Sequence, residues 1–274
     1  ALLLALLPLL FGQGFALTLL SQMGIMIIFA LSYNMLLGQT GLLSFGHAVY
    51  AGLGAYAAIH ALNAMADGGF LWPVTLLPLL GGLAGACFGV LFGWVATRRG
   101  GMVFAMITLG LGEMIAASAL MLPGFFGGEG GITANRVVGA PFAGITYGPA
   151  IEVYALIAAW TLVCAAAMYA LTRTPLGRIA NAVRDNAERA AFVGYDPRRV
   201  RFLMFVGAAF FAGISGGLAA IHFEIVNAES VGIARSGAVL LATFIGGTGH
   251  FLGPVLGAIV YTFFVLAVSG WTQA

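Results

Sequence analysis

Long apolar stretches, each closed by a short polar or glycine-rich interval, repeat from one end of the chain to the other. Crossing the hydrocarbon core of a bilayer takes a helix of roughly 20 apolar residues. Runs of about that length occupy 14–37, 43–62, 72–97, 101–122, 150–172, 202–226 and 251–270. A partial run covers 1–11, and 237–247 is too short to span alone and stops at Gly246-Gly247-Thr248-Gly249. The pattern predicts an all-α, polytopic integral membrane protein with about eight or nine membrane segments, some broken by glycine or re-entrant. One transmembrane domain accounts for 1–274, including the loop 123–149 and the helical segment 173–201. The first run has no basic n-region and no soluble body after it, which argues against a secretory signal peptide. The missing initiator Met suggests a trimmed terminus.

Composition supports the same solvent. Of 274 residues, 61% are hydrophobic and 7% charged, where a soluble domain carries about 25% charged residues. The mean hydropathy is +1.04. All eleven basic residues are Arg and none is Lys, so the chain cannot supply the lysine that a Walker A loop places on the nucleotide phosphates. Any ATP is handled by a partner, and no nucleic-acid partner is expected. Cys87 and Cys164 lie in apolar runs at no redox or metal spacing, and His47, His60, His222 and His250 are dispersed. No metal site is expected.

Arginine sets the predicted orientation. Arg98 and Arg99 close one run, and Arg173, Arg178, Arg184, Arg189, Arg198, Arg199 and Arg201 fall between two others. Short cytoplasmic loops are enriched in positive charge, so both regions are expected inside. The two spans between them put loop 123–149 outside, and by the same count the Asp67 loop and the Glu229 to Arg235 segment are external.

Gly81, Gly85, Gly89 and Gly93 repeat every four residues on one helical face. Small faces let backbones approach in lipid, either within the chain or at a dimer seam. Two glycine-interrupted stretches, 36–56 and 244–261, share a local pattern: Gln39-Thr40-Gly41 corresponds to Gly247-Thr248-Gly249, followed by Phe-Gly or Leu-Gly and a small-residue helix. Such a pair reads as a transport site built from broken helices, or as ordinary inter-helix turns. Asn34, Gln39, Thr40, Ser44 and His47 surround the first break, with Thr40, Ser44 and His47 spaced for one helical face. Hydroxyls and amides suit a zwitterionic solute, while His47 alone reads more readily as a structural residue. Glu113 is the carboxylate nearest the centre of an apolar span, where ionisable groups are costly and face a cavity or partner; a structural role is the alternative.

Loop 173–201 predicts one amphipathic helix over 176–194. Leu176, Ile179, Ala180, Val183, Ala187, Ala190 and Ala191 make its apolar face, and Arg184 with Glu188 and Asp185 with Arg189 are spaced to pair four apart. Gly194 stops it and Asp196-Pro197 starts the next helix. Such a helix lies on anionic lipid or docks a soluble partner, and its mixed charge favours docking.

These residues resemble a known family. LSYNMLLGQTGLLSFGHAVYAGLGAY, GGEGGIT at 127–133, RTPLGRIANAVRDNAERAAFVGYD at 173–196 and IGGTGHFLGPVLGA at 245–258 are similar, in order and over nearly the whole chain, to the M-type permease subunit of branched-chain amino acid ATP-binding-cassette importers. The resemblance implies a multi-pass protein of the bacterial inner membrane, with no catalytic residue and no cofactor of its own. It implies as partners a second, H-type permease subunit, two cytoplasmic ATPase subunits that use ATP and Mg, and a periplasmic substrate-binding protein. It places the ATPase-coupling contact on Arg184, Asp185, Glu188, Arg189, Ala190, Ala191 and Gly194. The substrate pathway would then involve Asn34, Gln39, Thr40, Gly41, Ser44, His47, Glu113, Gly247, Thr248 and Gly249. Glu129 stands where the family often carries Asp or Asn, and related permeases take urea, short amides or aromatic acids. An ion-coupled carrier would need more buried acids than Glu113, and a membrane enzyme would need clustered catalytic groups.

Overall fold

The apolar runs fold as helices. A computed structural model describes residues 14–69, 72–138 and 146–272, and the run at 1–11 lies outside them. In chain order the helices are α1 (Gly14–Thr40), α2 (Ala48–Ala66), α3 (Leu77–Ala96), α4 (Gly101–Met121), α5 (Ala150–Arg173), α6 (Pro175–Asp185), α7 (Ala187–Phe192), α8 (Pro197–Phe223), α9 (Ile233–Gly246) and α10 (Gly253–Thr272). Five helices among the described residues are long and apolar enough to cross a membrane: α1, α3 with its lead-in turn from Val74, α4, α5 and α8. The expected eight or nine segments are therefore not matched one for one. The run at 43–62 yields α2, rich in Ala, Gly and Tyr, because it faces other helices and not lipid. The last two runs yield the shorter helices α9 and α10, folded against each other.

Helix α8 is the hub. It packs most extensively on α3, then on α2 and α1, and is buried continuously from Phe211 to Ile221. Lipid tails give apolar helices no reason to leave lipid, so close backbone approach must hold the bundle together. The glycines provide it. A Cβ placed on Gly81 would lie 2.6 Å from the Gly213 carbonyl oxygen, one on Gly89 2.6 Å from the Ala209 Cβ, and one on Gly93 2.7 Å from the Phe205 ring. The four-residue glycine repeat is thus a packing face within the chain. On a neighbouring face of α8, Gly216 sits directly against the Ala51 carbonyl of α2.

The two ends of the bundle differ in charge. Arg98, Arg198 and Arg199 line one cavity of about 300 Å³ with Asp196 and Trp94, so the two arginine clusters of the sequence share an end. At the other end the GGEGGIT segment folds as a tight crossing, with Gly127 at φ 76°, Gly128 at 63° and Gly131 at 70°. These are left-handed conformations that glycine adopts without steric cost. Strand β1 (Ile132–Thr133) then pairs antiparallel with β2 (Ile225–Val226). Arg136 fastens this crossing: its backbone N–H donates to Glu224 Oε1 at 2.9 Å, its Nε donates to the Tyr147 carbonyl at 2.8 Å, and its guanidinium lies 3.6 Å from Glu224 Oε2.

Candidate functional site

Gly41, at φ 68°, ends α1, and its N–H and that of Leu42 still reach the carbonyls of Leu37 and Leu36 at 3.1 Å each. The chain does not go straight into another helix. Residues 41–47 run back along α1 without helical hydrogen bonding: the Ser44 carbonyl accepts from Tyr33 Oη at 2.9 Å, and His47 Nε2 lies 3.0 Å from Ser32 Oγ. Irregular backbone inside a membrane domain must be satisfied by protein. Here hydroxyls from distant helices do so, since Phe45 N–H donates to Thr108 Oγ1 of α4 at 3.2 Å and Ala48 N–H to Ser236 Oγ of α9 at 3.0 Å. Gly46 rests against the Thr108 carbonyl, leaving no room for a side chain.

This geometry corrects one expectation: Thr40, Ser44 and His47 do not share a helical face, because Thr40 ends α1, Ser44 lies in the non-helical return and His47 is the N-cap of α2. The Thr40 hydroxyl turns back to the Leu36 carbonyl at 2.6 Å. His47 is fully buried, stacked on Phe29 with ring centroids 5.6 Å apart and met edge-on by Tyr33 at 5.3 Å. Its place is that of a packed structural group. Asn34 Oδ1, Gln39 Oε1, Ser44 Oγ and His47 Nδ1 are buried without a hydrogen-bond partner among the described residues, a concentration of unmatched polar atoms that structural cores avoid.

The second break lies beside the first. Helix α9 ends at Gly247, φ 84°, and α10 starts at Gly253 so close to α9 that Gly246 and Gly257 meet backbone across the hairpin. A Cβ on Gly38 would fall 2.9 Å from the Thr248 carbonyl oxygen. Gly247 and Gly249 are exposed. The two glycine-broken stretches therefore meet at the arginine-rich end.

Above them sits the 173–201 segment, and here two expectations fail. The amphipathic helix is two helices: α6 ends at Asp185, and Asn186, in an extended conformation, caps α7 by accepting the Arg189 N–H at 2.8 Å. The four-residue ion pairs are absent among the described contacts, because the break turns Glu188 and Arg189 away. Arg184 Nε instead meets Asp185 Oδ1 at 2.9 Å. Its Nη1 donates to the Gly38 carbonyl, and its Cγ would lie 3.0 Å from a Cβ on Gly41. Ala180, Val183 and Ala190 are buried as the apolar pattern predicts; Ala191 is exposed. Gly194 stops α7 at φ 98°, and Asp196 caps α8 by accepting the Arg198 N–H at 2.9 Å. Asn186→Ala should cost about 1 kcal/mol, the usual loss of an N-cap, confined to α7. Hydrogen exchange should accelerate over 187–192 and not over α6.

Glu113 follows Gly112, which lies against Gly46 of the first break, but its own side chain belongs to a different surface. It is exposed on α4 and lines an outer cleft of about 580 Å³ with Glu129, Asn227 and Glu229, which continues as a space of about 570 Å³ reaching Arg235. Arg235 stands in the first turn of α9, next to the Ser236 that holds Ala48. Sequence reading missed Arg235, Tyr33, Thr108 and Ser236. Hydroxyls inside apolar runs were the available signal, but most such hydroxyls bond their own helix, as Thr161 and Thr243 do here.

These features define a polytopic helical membrane protein with an extended, side-chain-supported return inside its bundle. The chain belongs to the family of branched-chain amino acid transport system permease components, whose family model matches residues 15–274. It is 32% identical over 257 residues to the high-affinity branched-chain amino acid transport system permease protein LivM of Escherichia coli K12, and equally to that of Salmonella typhimurium LT2, covering 86% of this chain and 59% of each relative. It is 33% identical over 220 residues, 77% of this chain and 59% of the relative, to the autoinducer 2 import system permease protein LsrC of Enterobacter sp. strain 638. The chain thus spans about three fifths of the length of these curated relatives. No solved structure matches it significantly.

Proposed function

We propose that this chain is a permease subunit of an ATP-driven importer of the inner membrane, moving branched-chain or other hydrophobic amino acids. It does no covalent chemistry. The arginine-rich end faces the cytoplasm, where two ATPase subunits dock; a second, H-type permease and a periplasmic binding protein complete the assembly. Helix α2 and the α9–α10 hairpin are membrane-embedded with the five spanning helices, which brings the described segments to about eight.

One observation carries the reading. Helices α6 and α7 pack on the bundle through Ala180, Val183 and Ala190, yet the C-terminal end of α7 holds Phe192 at 90% and Val193 at 72% exposure, apolar surface suited to a protein partner. Arg184 ties the same segment to the first break. A docking surface is thereby joined to the part of the membrane domain built from irregular backbone.

The test is co-purification from cells expressing the whole operon, followed by reconstitution and ATP hydrolysis. ATPase subunits should copurify, and leucine with the binding protein should stimulate turnover. Phe192→Asp should detach the ATPases while leaving the permease folded. No associated ATPase would overturn the importer reading in favour of an ion-coupled carrier.

A further inference from the structure

The first turn of α9 holds a guanidinium with no partner among the described residues. Arg235 makes no ion pair or hydrogen bond with them, although a helical arginine at membrane depth carries a cost that a partner normally offsets. Its depth follows from the fold. Helix α9 has 14 residues, about 21 Å at 1.5 Å per residue, and its far end meets Gly38 at the arginine-rich end through Thr248. Its first turn therefore stops short of the opposite surface of a core about 30 Å thick. Glu113 lies twelve residues into α4, about 18 Å from its start, and so at a similar depth.

Arg235 lines one cleft with Glu113, Glu229 and Asn227, but no carboxylate is within 4.0 Å of it. Opposite charges held apart along a cleft of about 570 Å³ leave room for a molecule that carries both charges. Behind Arg235, a second cavity of about 200 Å³ is walled by Ile25, Met26 and Phe29, a surface suited to an aliphatic chain. We propose that Arg235 binds the carboxylate of a zwitterionic amino acid and that Glu113 and Glu229 receive its ammonium, making this cleft the outer substrate site. The proposal rests on the importer reading and places its solute at named residues: a free amino acid fits them, and urea, an amide or an uncharged signal does not. The glycine breaks at the other end then act as the gate, not as the binding site.

Leucine uptake into proteoliposomes holding the complete importer, with ATP hydrolysis followed in the same vesicles, tests it. Charge-assisted hydrogen bonds of this kind are worth roughly ten- to a hundredfold in binding. Arg235→Gln should lower uptake by that factor while complex yield and basal hydrolysis stay near wild type. Arg235→Lys should keep part of the activity, and Glu113→Gln should lower uptake less than Arg235→Gln, because Glu229 remains. Unchanged uptake with Arg235→Gln overturns the site alone. So does an equal loss with Lys and Gln alongside a fallen yield, which makes Arg235 structural. A wild-type rate that depends on anionic phospholipid, with the dependence lost in Arg235→Gln, makes a headgroup its partner and overturns the site as well. Wild-type vesicles that take up urea or an amide but not leucine overturn both this site and the assigned solute.

Discussion

Gly216→Ala should destabilise the bundle strongly, with one of the largest stability effects expected of a single methyl group. The added Cβ would fall inside the Ala51 carbonyl oxygen and crowd the Ala55 nitrogen. All of these atoms are backbone, so relief requires α2 and α8 to move apart. Helix α8 is buried on every side at this level, and a shift there propagates to α3 through the glycine face at Gly213 and Gly81. Overpacking usually costs about 1–3 kcal/mol, and a clash with rigid backbone belongs at or above the upper end. Thermal unfolding in detergent should show a midpoint lowered by about 5 °C or more. Gly110→Ala is the contrast: nothing lies within 4 Å of that position, and alanine improves helix propensity by up to about 1 kcal/mol. A Gly216→Ala protein as stable as Gly110→Ala would mean that α2 and α8 are not in backbone contact.

Much of this packing was legible. The four-residue glycine spacing on α3 fixes which face meets α8, since no side chain intervenes to alter the register. Asp196-Pro197 and Gly194 mark their boundary because capping and left-handed glycine are local chemistry. What hydropathy could not separate was the extended return at 42–47 from the helix after it. Leu42, Leu43 and Phe45 are as apolar as a helix requires, and the groups that let the backbone stay extended, Thr108 and Ser236, are 63 and 188 residues away. Asn186 was hidden for the opposite reason. The apolar period continues across it, so a cap that divides two short helices reads as one polar position in a longer one.

Helix α9 connects the two functional regions. At one end Thr248 leans on Gly38; at the other, Ser236 holds the first N–H of α2 at 3.0 Å and Arg235 faces the cleft. A helix of 14 residues with no proline or internal break moves as a rod. Displacement at Gly38 is therefore delivered to the start of α2 and to the guanidinium together. Coupling through packed, rigid elements of this sort needs a discrete input, and the contact of Arg184 with Gly38 is where the docking helices supply it.

Arg184→Glu should accordingly separate ATP hydrolysis from transport. The native side chain donates to the Gly38 carbonyl and packs over Gly41, so movement of α6 is transferred to the end of α1. Glutamate substitutes an acceptor for the donor and sets it against a carbonyl oxygen, removing a charge-assisted bond and adding repulsion. Together these effects should lower solute uptake by roughly a hundredfold, while the ATPases, held by surface around Phe192, remain bound and active. Arg184→Lys should retain part of the coupling because it keeps a donor but loses the guanidinium's fixed geometry. Asp185→Ala is the control. It removes the 2.9 Å pair to Arg184, whose side chains are 39% and 68% exposed, and exposed pairs contribute about 0–1 kcal/mol. Its uptake should stay near wild type. If Arg184→Glu instead releases the ATPases, Arg184 belongs to the docking surface itself; if uptake is unaffected, the input to α1 must come through α8, the other helix that leaves the same loop.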